Sequence, residues 1–277
     1  MPFDSEEPMR PPAKHLARTA MIAVVLAAAA AAAQPAPSPR DIMGKVALTR
    51  KLAGSEAVVT MTCVNDQGQT RERTLSMATK LYDDGKTEKR IYRFQSPADV
   101  KGTGVLVFDY ESDADDVWIF LPALRKTRRI VSSQRAQSFM GSEFSYGDLN
   151  VPALDDYGYT LRGEEAEGGE PCWVIDLAPK SQDNAAGEGY SKKTYWISKA
   201  KHVLRRALYY DLEGKLQKEL KTDQVELLDP KNQRFRPLRM EMINKQNGRR
   251  SLFVSSKISF APEADDEYFT PRYLERP

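Results

Sequence analysis

Histidine is almost absent from this 277-residue sequence, and that scarcity limits the chemistry open to the chain. After the first 33 residues only His202 occurs, in a strand-like run beside Val203. A serine–histidine–aspartate triad would need His202 as its base, but the sequence has no G-x-S-x-G nucleophile elbow. A zinc site would have to join His202 to two distant cysteines, without the usual short ligand spacings. We therefore interpret His202 as a structural residue and expect no metal site.

Cysteine is equally scarce, since Cys63 and Cys172 are the only two. They lie in different predicted strands, so they either pair in an oxidising compartment or remain separate buried thiols. Phosphate-binding loops are missing too, because neither a P-loop nor a G-x-G-x-x-G run is present. Positive charge is not in excess, with 41 Lys and Arg against 39 Asp and Glu. This balance argues against a nucleic-acid-binding protein, and we expect neither a cofactor nor enzymatic activity.

The chain also lacks an apolar run long enough to cross a membrane. The longest run, residues 20–33, has 14 residues, whereas a span needs about 20. Basic residues precede this run and small residues end it: Arg10, Lys14, Arg18, Ala31 and Ala33. That combination is typical of a secretory signal peptide. We interpret residues 1–33 as a cleavable signal, with translation from Met1 or Met9, so the mature chain is expected outside the cytoplasm.

The sequence after the signal divides into a short lead-in and one domain. Residues 34–40 are rich in proline and are expected to be flexible, and residues 41–277 contain no linker-like stretch. No cysteine stands at the expected mature N-terminus, directly after the apolar run, so a lipid anchor is not expected. Ile42 and Val46 share one helical face, which predicts a helix of about 12 residues, capped by Asp41 and closed by Gly54.

A series of short β-strands is predicted after this helix. Each is rich in β-branched or aromatic residues and is bounded by turn residues. The predicted strands are 58–64, 71–77, 89–94, 105–110, 117–121, 157–161, 172–177, 192–197, 203–210, 216–225, 238–244 and 251–260. So many consecutive strands predict a large antiparallel sheet that curls or closes.

Several of these strands carry apolar side chains on both faces. In residues 105–110, Val105 and Val107 point to one face while Leu106 and Phe108 point to the other. A sheet with one face in water would instead alternate apolar and polar residues throughout. The pattern therefore predicts a sheet that is covered on both sides or wraps a cavity, as either a curled half-barrel or a packed sandwich.

One region, residues 117–149, differs from the rest of the chain. It opens with a buried strand that Pro122 is expected to stop, because proline cannot donate to a β-ladder. Four basic residues follow: Arg125, Lys126, Arg128 and Arg129. Aromatic residues then alternate with Gly and Ser at 139–147, and Asp148 is expected to begin a short helix through Leu154.

Two motifs in this region carry a family resemblance. The run W-I-F-L-P-A-L-R-K-T-R-R-I at 118–130, followed by S-F-M-G-S-E-F-S-Y-G-D-L at 138–149, resembles the LolA-like outer-membrane lipoprotein-sorting family. The likeness is to the branch encoded near RND-type exporters, and it extends to D-E-Y-F-T-P-R-Y-L-E-R at 266–276. It implies a mainly β fold like that of LolA and LolB. This fold is a curled antiparallel sheet, or incomplete β-barrel, with an N-terminal helix and short helices closing an apolar cavity.

The resemblance also implies a function in the periplasm. Such a protein shields lipid or lipoprotein acyl chains from water and passes them to an envelope partner, which needs no catalytic residue. Methionine and aromatic side chains suit a cavity for irregular apolar cargo. The candidate lipid contacts are Trp118, Phe120, Phe139, Met140, Phe144, Tyr146 and Met240. Each is also compatible with an ordinary core position, although residues 139–146 are more typical of a lid or mouth.

The basic group Arg125, Lys126, Arg128 and Arg129 has two interpretations. It is either a solvated edge that protects the sheet from aggregation or a contact for anionic head groups or an acidic partner. The main alternative to a carrier is a non-catalytic periplasmic binding or accessory module for an RND-type exporter.

Overall fold

The computed structural model describes Met1 and residues 37–111, 113–150 and 153–276. The predicted signal peptide and the first residues of the lead-in lie outside these ranges. Within them, no helix combines the length and the apolar character needed to cross a membrane.

A single antiparallel sheet of thirteen strands dominates the described structure. Its order is β6-β5-β4-β3-β2-β1-β13-β12-β11-β10-β9-β8-β7, so the first and last strands pair at the centre. The strands are β1 Gly54–Val64, β2 Thr70–Tyr82, β3 Thr87–Ser96, β4 Gly104–Tyr110, β5 Asp116–Leu121, β6 Lys126–Ile130, β7 Tyr157–Glu167, β8 Glu170–Pro179, β9 Lys192–Ser198, β10 Leu204–Tyr210, β11 Leu216–Asp229, β12 Arg234–Asn244 and β13 Arg250–Phe260. Strands β6 and β7 form the two free edges, so the sheet is not closed. The predicted mainly β, unclosed antiparallel fold is confirmed.

The sheet curls around one apolar cluster, which we call the inner cluster. Thirteen strands laid flat would span about 55–60 Å at their usual spacing. Yet every strand contributes a side chain to this one cluster, from Ile130 of β6 to Tyr157 of β7. Glu88 of β3 also lies 3.3 Å from Arg236 of β12, although three strands separate β3 from β12, so the sheet bends back on itself. Register shifts, such as the one between Leu161 and Gly163, introduce bulges that bend strands further.

The N-terminal helix α1 (Pro39–Arg50) packs Ile42, Met43 and Val46 into the inner cluster. It begins earlier than predicted because Ser38, not Asp41, is the N-cap: the amide of Asp41 donates to the Ser38 hydroxyl at 3.1 Å. The prediction that Gly54 closes the helix is wrong. Gly54 instead begins β1, where a Cβ atom would lie 2.1 Å from the carbonyl oxygen of Ala261.

The predicted alternation of β4 is confirmed. Val105 and Val107 face the inner cluster, and Leu106 faces an outer cluster on the opposite side of the sheet. The C-terminal segment 264–274, which includes the short helix α3 (Pro271–Leu274), covers this outer cluster. Its buried members are Ala78, Ile91, Leu106, Phe120, Ala264, Phe269 and Leu274.

Two local expectations differ from the structure. The basic residues after Pro122 belong to an additional strand, β6, which the low apolar content of Lys126–Arg129 concealed. Pro122 does stop β5, as predicted, by opening a 3-10 turn at Pro122–Leu124. The prediction of a short helix that starts at Asp148 is wrong, because Gly147–Leu149 and Leu154–Asp156 are separate 3-10 turns.

Candidate functional site

The chain between the two free edges of the sheet, described at residues 131–150 and 153–156, is here called the crossing segment. It contains a narrow hairpin in which Phe139 N donates to Phe144 O at 2.7 Å and Ser142 N donates to Phe139 O at 3.0 Å. Met140 and Gly141 form its tip with φ angles of 51° and 76°. Two consecutive positive φ angles match a type I′ turn. The alternating aromatic and small residues thus form a tight hairpin rather than an extended loop.

The aromatic rings of this hairpin fill the inner cluster. Phe139 is fully buried, and its ring centroid lies 5.8 Å from Tyr92 and 5.7 Å from Tyr146. Phe144 packs against Phe253 of β13 with centroids 4.4 Å apart. Aromatic pairs at such distances add to the stabilisation from burial. The lid or mouth expected from the sequence is therefore an internal plug in this conformation.

A buried charge network holds the crossing segment at Leu149 and Asn150. Arg90 of β3 donates to the carbonyl oxygen of Leu149 at 2.9 Å and to the side chain of Asn150. The same guanidinium bonds to Asp109 at 2.9 Å and lies 3.5 Å from Glu88. Burial raises the pKa of Asp109 to about 6, although Arg90 acts in the opposite direction.

A second polar network holds the segment against the other half of the sheet. The Tyr190 hydroxyl donates to Asp148 at 3.1 Å, and Lys218 Nζ donates to the Tyr190 hydroxyl at 2.9 Å. Nearby, the fully buried Lys193 pairs with Glu188 and lies 3.2 Å from the Tyr157 hydroxyl. Burial acts to lower the pKa of Lys193, but its anionic surroundings raise it well above the ordinary value. The ammonium therefore stays charged inside the protein.

The structure divides the seven predicted lipid contacts into two groups. Five belong to or pack against the inner cluster: Phe139, Met140, Phe144, Tyr146 and Met240. Trp118 and Phe120 lie on the opposite face, in the outer cluster beneath the C-terminal segment. The division follows from strand geometry, because even-numbered residues of β5 point away from the inner-facing Val117 and Ile119.

The predicted basic group lies at the β5–β6 hairpin and along the free edge formed by β6. Lys126, Arg128 and Arg129 are exposed, and Arg125 occupies the turn with a φ angle of 47°. Arg129 pairs with Asp116 of β5. Leu124, beside Arg125, is 67% exposed. The group is accessible to solvent along the free edge of β6.

Sequence reasoning missed the polar residues that position the crossing segment. Arg90 and Lys218 were not singled out, because isolated charges in strands usually face solvent. Strand alternation was an available signal: Arg90 shares its face with Tyr92 and Phe94, which the structure places in the inner cluster. The two cysteines are free and lie apart, with Cys63 against the inner cluster and Cys172 in a third cluster beside Trp196.

Among the concavities of the described surface are an acidic cleft and a smaller pocket. A cleft of about 760 Å³ lies between the crossing segment and the helix α2 (Gln182–Glu188), and most of its charged lining is acidic. A smaller pocket of about 300 Å³ lies between α1 and the turns that follow β9 and β11. His202 lines this pocket, in a turn with a φ angle of 52° rather than in the predicted strand.

Comparisons with known proteins agree with this architecture. A family model described as "Uncharacterized protein" matches residues 86–276. No curated protein matches the chain. A domain named for outer membrane lipoprotein sorting, from Vibrio parahaemolyticus, is 27% identical with a TM-score of 0.78, covering 86% of this chain and 98% of its own.

Two further structures are similar. A DUF1329 family protein from Desulfovibrio piger is 28% identical with a TM-score of 0.78, and the match covers 85% of this chain and 97% of that protein. A LolA superfamily protein from Nitrosomonas europaea shares the fold at 20% identity, with a TM-score of 0.64 and coverage of 86% and 100%.

Proposed function

Because the chain belongs to the LolA-like outer-membrane lipoprotein-sorting family, we propose that it is a non-enzymatic periplasmic carrier of lipid or lipoprotein acyl chains. The observation that carries this proposal is the unclosed sheet, whose inner face forms one apolar cluster next to the gap between β6 and β7. An acyl chain entering through that gap would meet apolar side chains from both halves of the sheet.

The plug must move for such a chain to enter. Exposing the rings of Phe139, Phe144 and Tyr146 would cost about 6–9 kcal/mol, at roughly 2–3 kcal/mol for each ring. A 16-carbon acyl chain gains about 12 kcal/mol on burial, at about 0.8 kcal/mol for each CH₂. The two terms are comparable, so exchange between plug and cargo would be reversible. A carrier that must release its cargo requires such a balance.

The distribution of tryptophan provides a direct test. Trp173 packs against the inner cluster, whereas Trp118 packs against the outer cluster and Trp196 lies in the third cluster with Cys172. Three variants would each keep one tryptophan and carry Phe at the other two positions. A brominated fatty acid should quench the fluorescence of the variant that keeps Trp173 and leave the other two unquenched. Lipid extracted from the purified wild-type protein should approach one acyl lipid per chain. Equal quenching of all three tryptophans, or a lipid-free protein that binds no fatty acid, would contradict the carrier.

The basic group at β6 is proposed to contact anionic head groups or an acidic envelope partner, for which an RND-type exporter is a candidate. Replacing Arg125, Arg128 and Arg129 by Gln should weaken binding to anionic vesicles and leave the melting temperature unchanged, since these side chains are surface-exposed. The matched control replaces Lys215, Lys221 and Lys231, which are exposed on the other half of the sheet. Equal binding by both triple variants would rule out a specific role for the β6 group.

The alternative function, a binding or accessory module for an RND-type exporter, is favoured by one observation. The inner cluster is already filled by the protein's own aromatic rings. If the plug never leaves, the inner cluster is simply a core and only the outer surface acts. The quenching experiment separates the two functions, because a permanent plug leaves Trp173 unquenched.

A further inference from the structure

The small pocket beside α1 gathers cationic side chains from three separate elements. Lys45 comes from α1, Lys201 and His202 from the turn between β9 and β10, and Arg234 from the start of β12. Leu48 and Phe235 supply apolar walls, and Leu48 is 50% exposed. A concave site that combines positive charge with apolar surface suits a ligand with both an anionic and an apolar part.

The acidic groups near this pocket have their own partners. Lys201 Nζ lies 2.5 Å from Glu170 Oε1, so one cation is already paired. Asp229 accepts hydrogen bonds from the backbone and side chain of Asn232 at 3.1 and 2.7 Å. No ion pair of the described structure includes Lys45 or Arg234. Arg234 lies opposite Asp229 in the β11–β12 ladder, and the hydrogen bonds from Asn232, with a smaller effect from the charge of Arg234, lower the pKa of Asp229. An anion in the pocket would therefore meet Lys45, His202 and an Arg234 whose charge is shared with Asp229.

The ring of His202 packs against another aromatic ring, and the pKa of His202 responds to nearby charge. Its ring centroid lies 5.5 Å from that of Trp173, which packs against the inner cluster. Burial lowers the pKa of His202, and the positive charge of Lys45 lowers it further. An anion bound between Lys45 and His202 would offset the effect of Lys45 and raise the pKa of His202, because it stabilises the protonated imidazole.

The pocket also lies close to the space proposed for acyl chains. Val46 of α1 belongs to the inner cluster and is the neighbour of Lys45 in sequence, and Trp173 connects His202 to the same cluster. We propose that this pocket, formed by Lys45, His202 and Arg234, binds the anionic head group of an acyl lipid whose chain occupies the inner cluster. This inference rests on the carrier function and adds a cargo class, a lipid bearing a phosphate-type anion.

The test follows the ring signal of His202 by NMR, assigned by its loss in His202→Gln. The pKa of His202 is measured in sulfate and in chloride at equal ionic strength. A tenfold preference of the anion for protonated His202 would raise the pKa by about one unit at saturation. The increase in the pKa of His202 should disappear in the double variant Lys45→Gln/Arg234→Gln. It should persist in Lys231→Gln, because Lys231 is an exposed lysine in the turn between β11 and β12 that does not line the pocket. An unchanged pKa in sulfate would overturn the anion site.

A second part of the experiment uses lipids and distinguishes a lipid head group from a free anion as the ligand of the pocket. Lysophosphatidylglycerol should raise the pKa of His202 and bind at least tenfold more tightly than lysophosphatidylcholine of the same chain length. The double variant should remove that preference and still bind both lipids. Equal binding of the two lipids with an unmoved pKa overturns this inference and leaves the carrier intact. A response to sulfate without binding of either lipid overturns the carrier and the lipid assignment together, and leaves a site for a free anion.

Discussion

The two faces of the sheet are covered by chain segments that are held in different ways. On the inner face, the crossing segment contributes fully buried rings, and the buried side chains of Arg90 and Asp148 hold it at residues 148–150. On the outer face, the C-terminal segment buries Phe269 and Leu274, and its polar contacts, from Lys80 to the carbonyl of Ala264 and from Arg93 to that of Tyr273, are only partly buried. A cover positioned by buried charges occupies one defined place, and it loses more when a single partner is removed.

The largest expected effect compares one ring from each cover. Phe139→Ala and Phe269→Ala each remove a fully buried aromatic side chain, so each should lower the free energy of unfolding by about 3–5 kcal/mol in denaturant titrations. Only Phe139→Ala should change the affinity for a fluorescent fatty acid, because only that ring lies in the inner cluster. Equal changes in affinity would show that the two covers do not differ in function.

Removing one charge that contacts each cover should show a larger difference in stability between the two covers. Arg90→Met leaves Asp109 buried without its cation, leaves Glu88 paired with Arg236 alone and frees the carbonyl of Leu149, so stability should fall by about 3 kcal/mol. Arg276→Met breaks an exposed pair and should change stability by less than about 0.5 kcal/mol. Hydrogen exchange at residues 139–150 should accelerate in Arg90→Met only. If exchange there is unchanged, Arg90 does not position the crossing segment.

The pH dependence of the inner network is a third test. Asp109 is protonated more easily in the folded protein, with a pKa of about 6, than in the unfolded chain. Its contribution to stability is therefore fully present below about pH 4 and is lost as the pH rises through about 6. Relative to the wild type, Asp109→Asn should gain stability between pH 4 and pH 7, by about 1–3 kcal/mol. A difference that is constant with pH would contradict the raised pKa.

The smallest expected effect concerns the hairpin tip. Met140 has a left-handed backbone conformation, which costs about 1 kcal/mol or more in a residue other than glycine. Asparagine tolerates that conformation, so Met140→Asn should lose little stability, under about 1 kcal/mol, because relief of strain offsets lost packing. Met240→Asn is the control, since Met240 packs against the same cluster from a regular strand and should lose about 2 kcal/mol. Equal losses would mean that the tip is unstrained.

The sequence predicted most of the fold because strands and turns are local features. The alternation of Val105 to Phe108 correctly indicated a sheet covered on both faces. The missed strand β6 has exposed charges where strand prediction looks for apolar residues. The hairpin at 139–146 was predicted as a lid because glycine and serine between rings are typical of loops. Its burial depends on Tyr92 and Phe253, which are distant in the chain.

The sequence by itself determined the strand series, the helix at its start, the scarcity of catalytic side chains and the aromatic motif with its basic neighbour. These depend on residue type and on short-range periodicity. Only the tertiary structure decided which aromatic residues share a cluster, which charges are buried and which cations meet at a pocket. The physical reason is the topology: β1 pairs with β13 and the free edges lie at β6 and β7. The curl that follows brings together residues such as Arg90, Tyr190 and Lys218, whose spacing in the chain gives no sign of their contact with one segment.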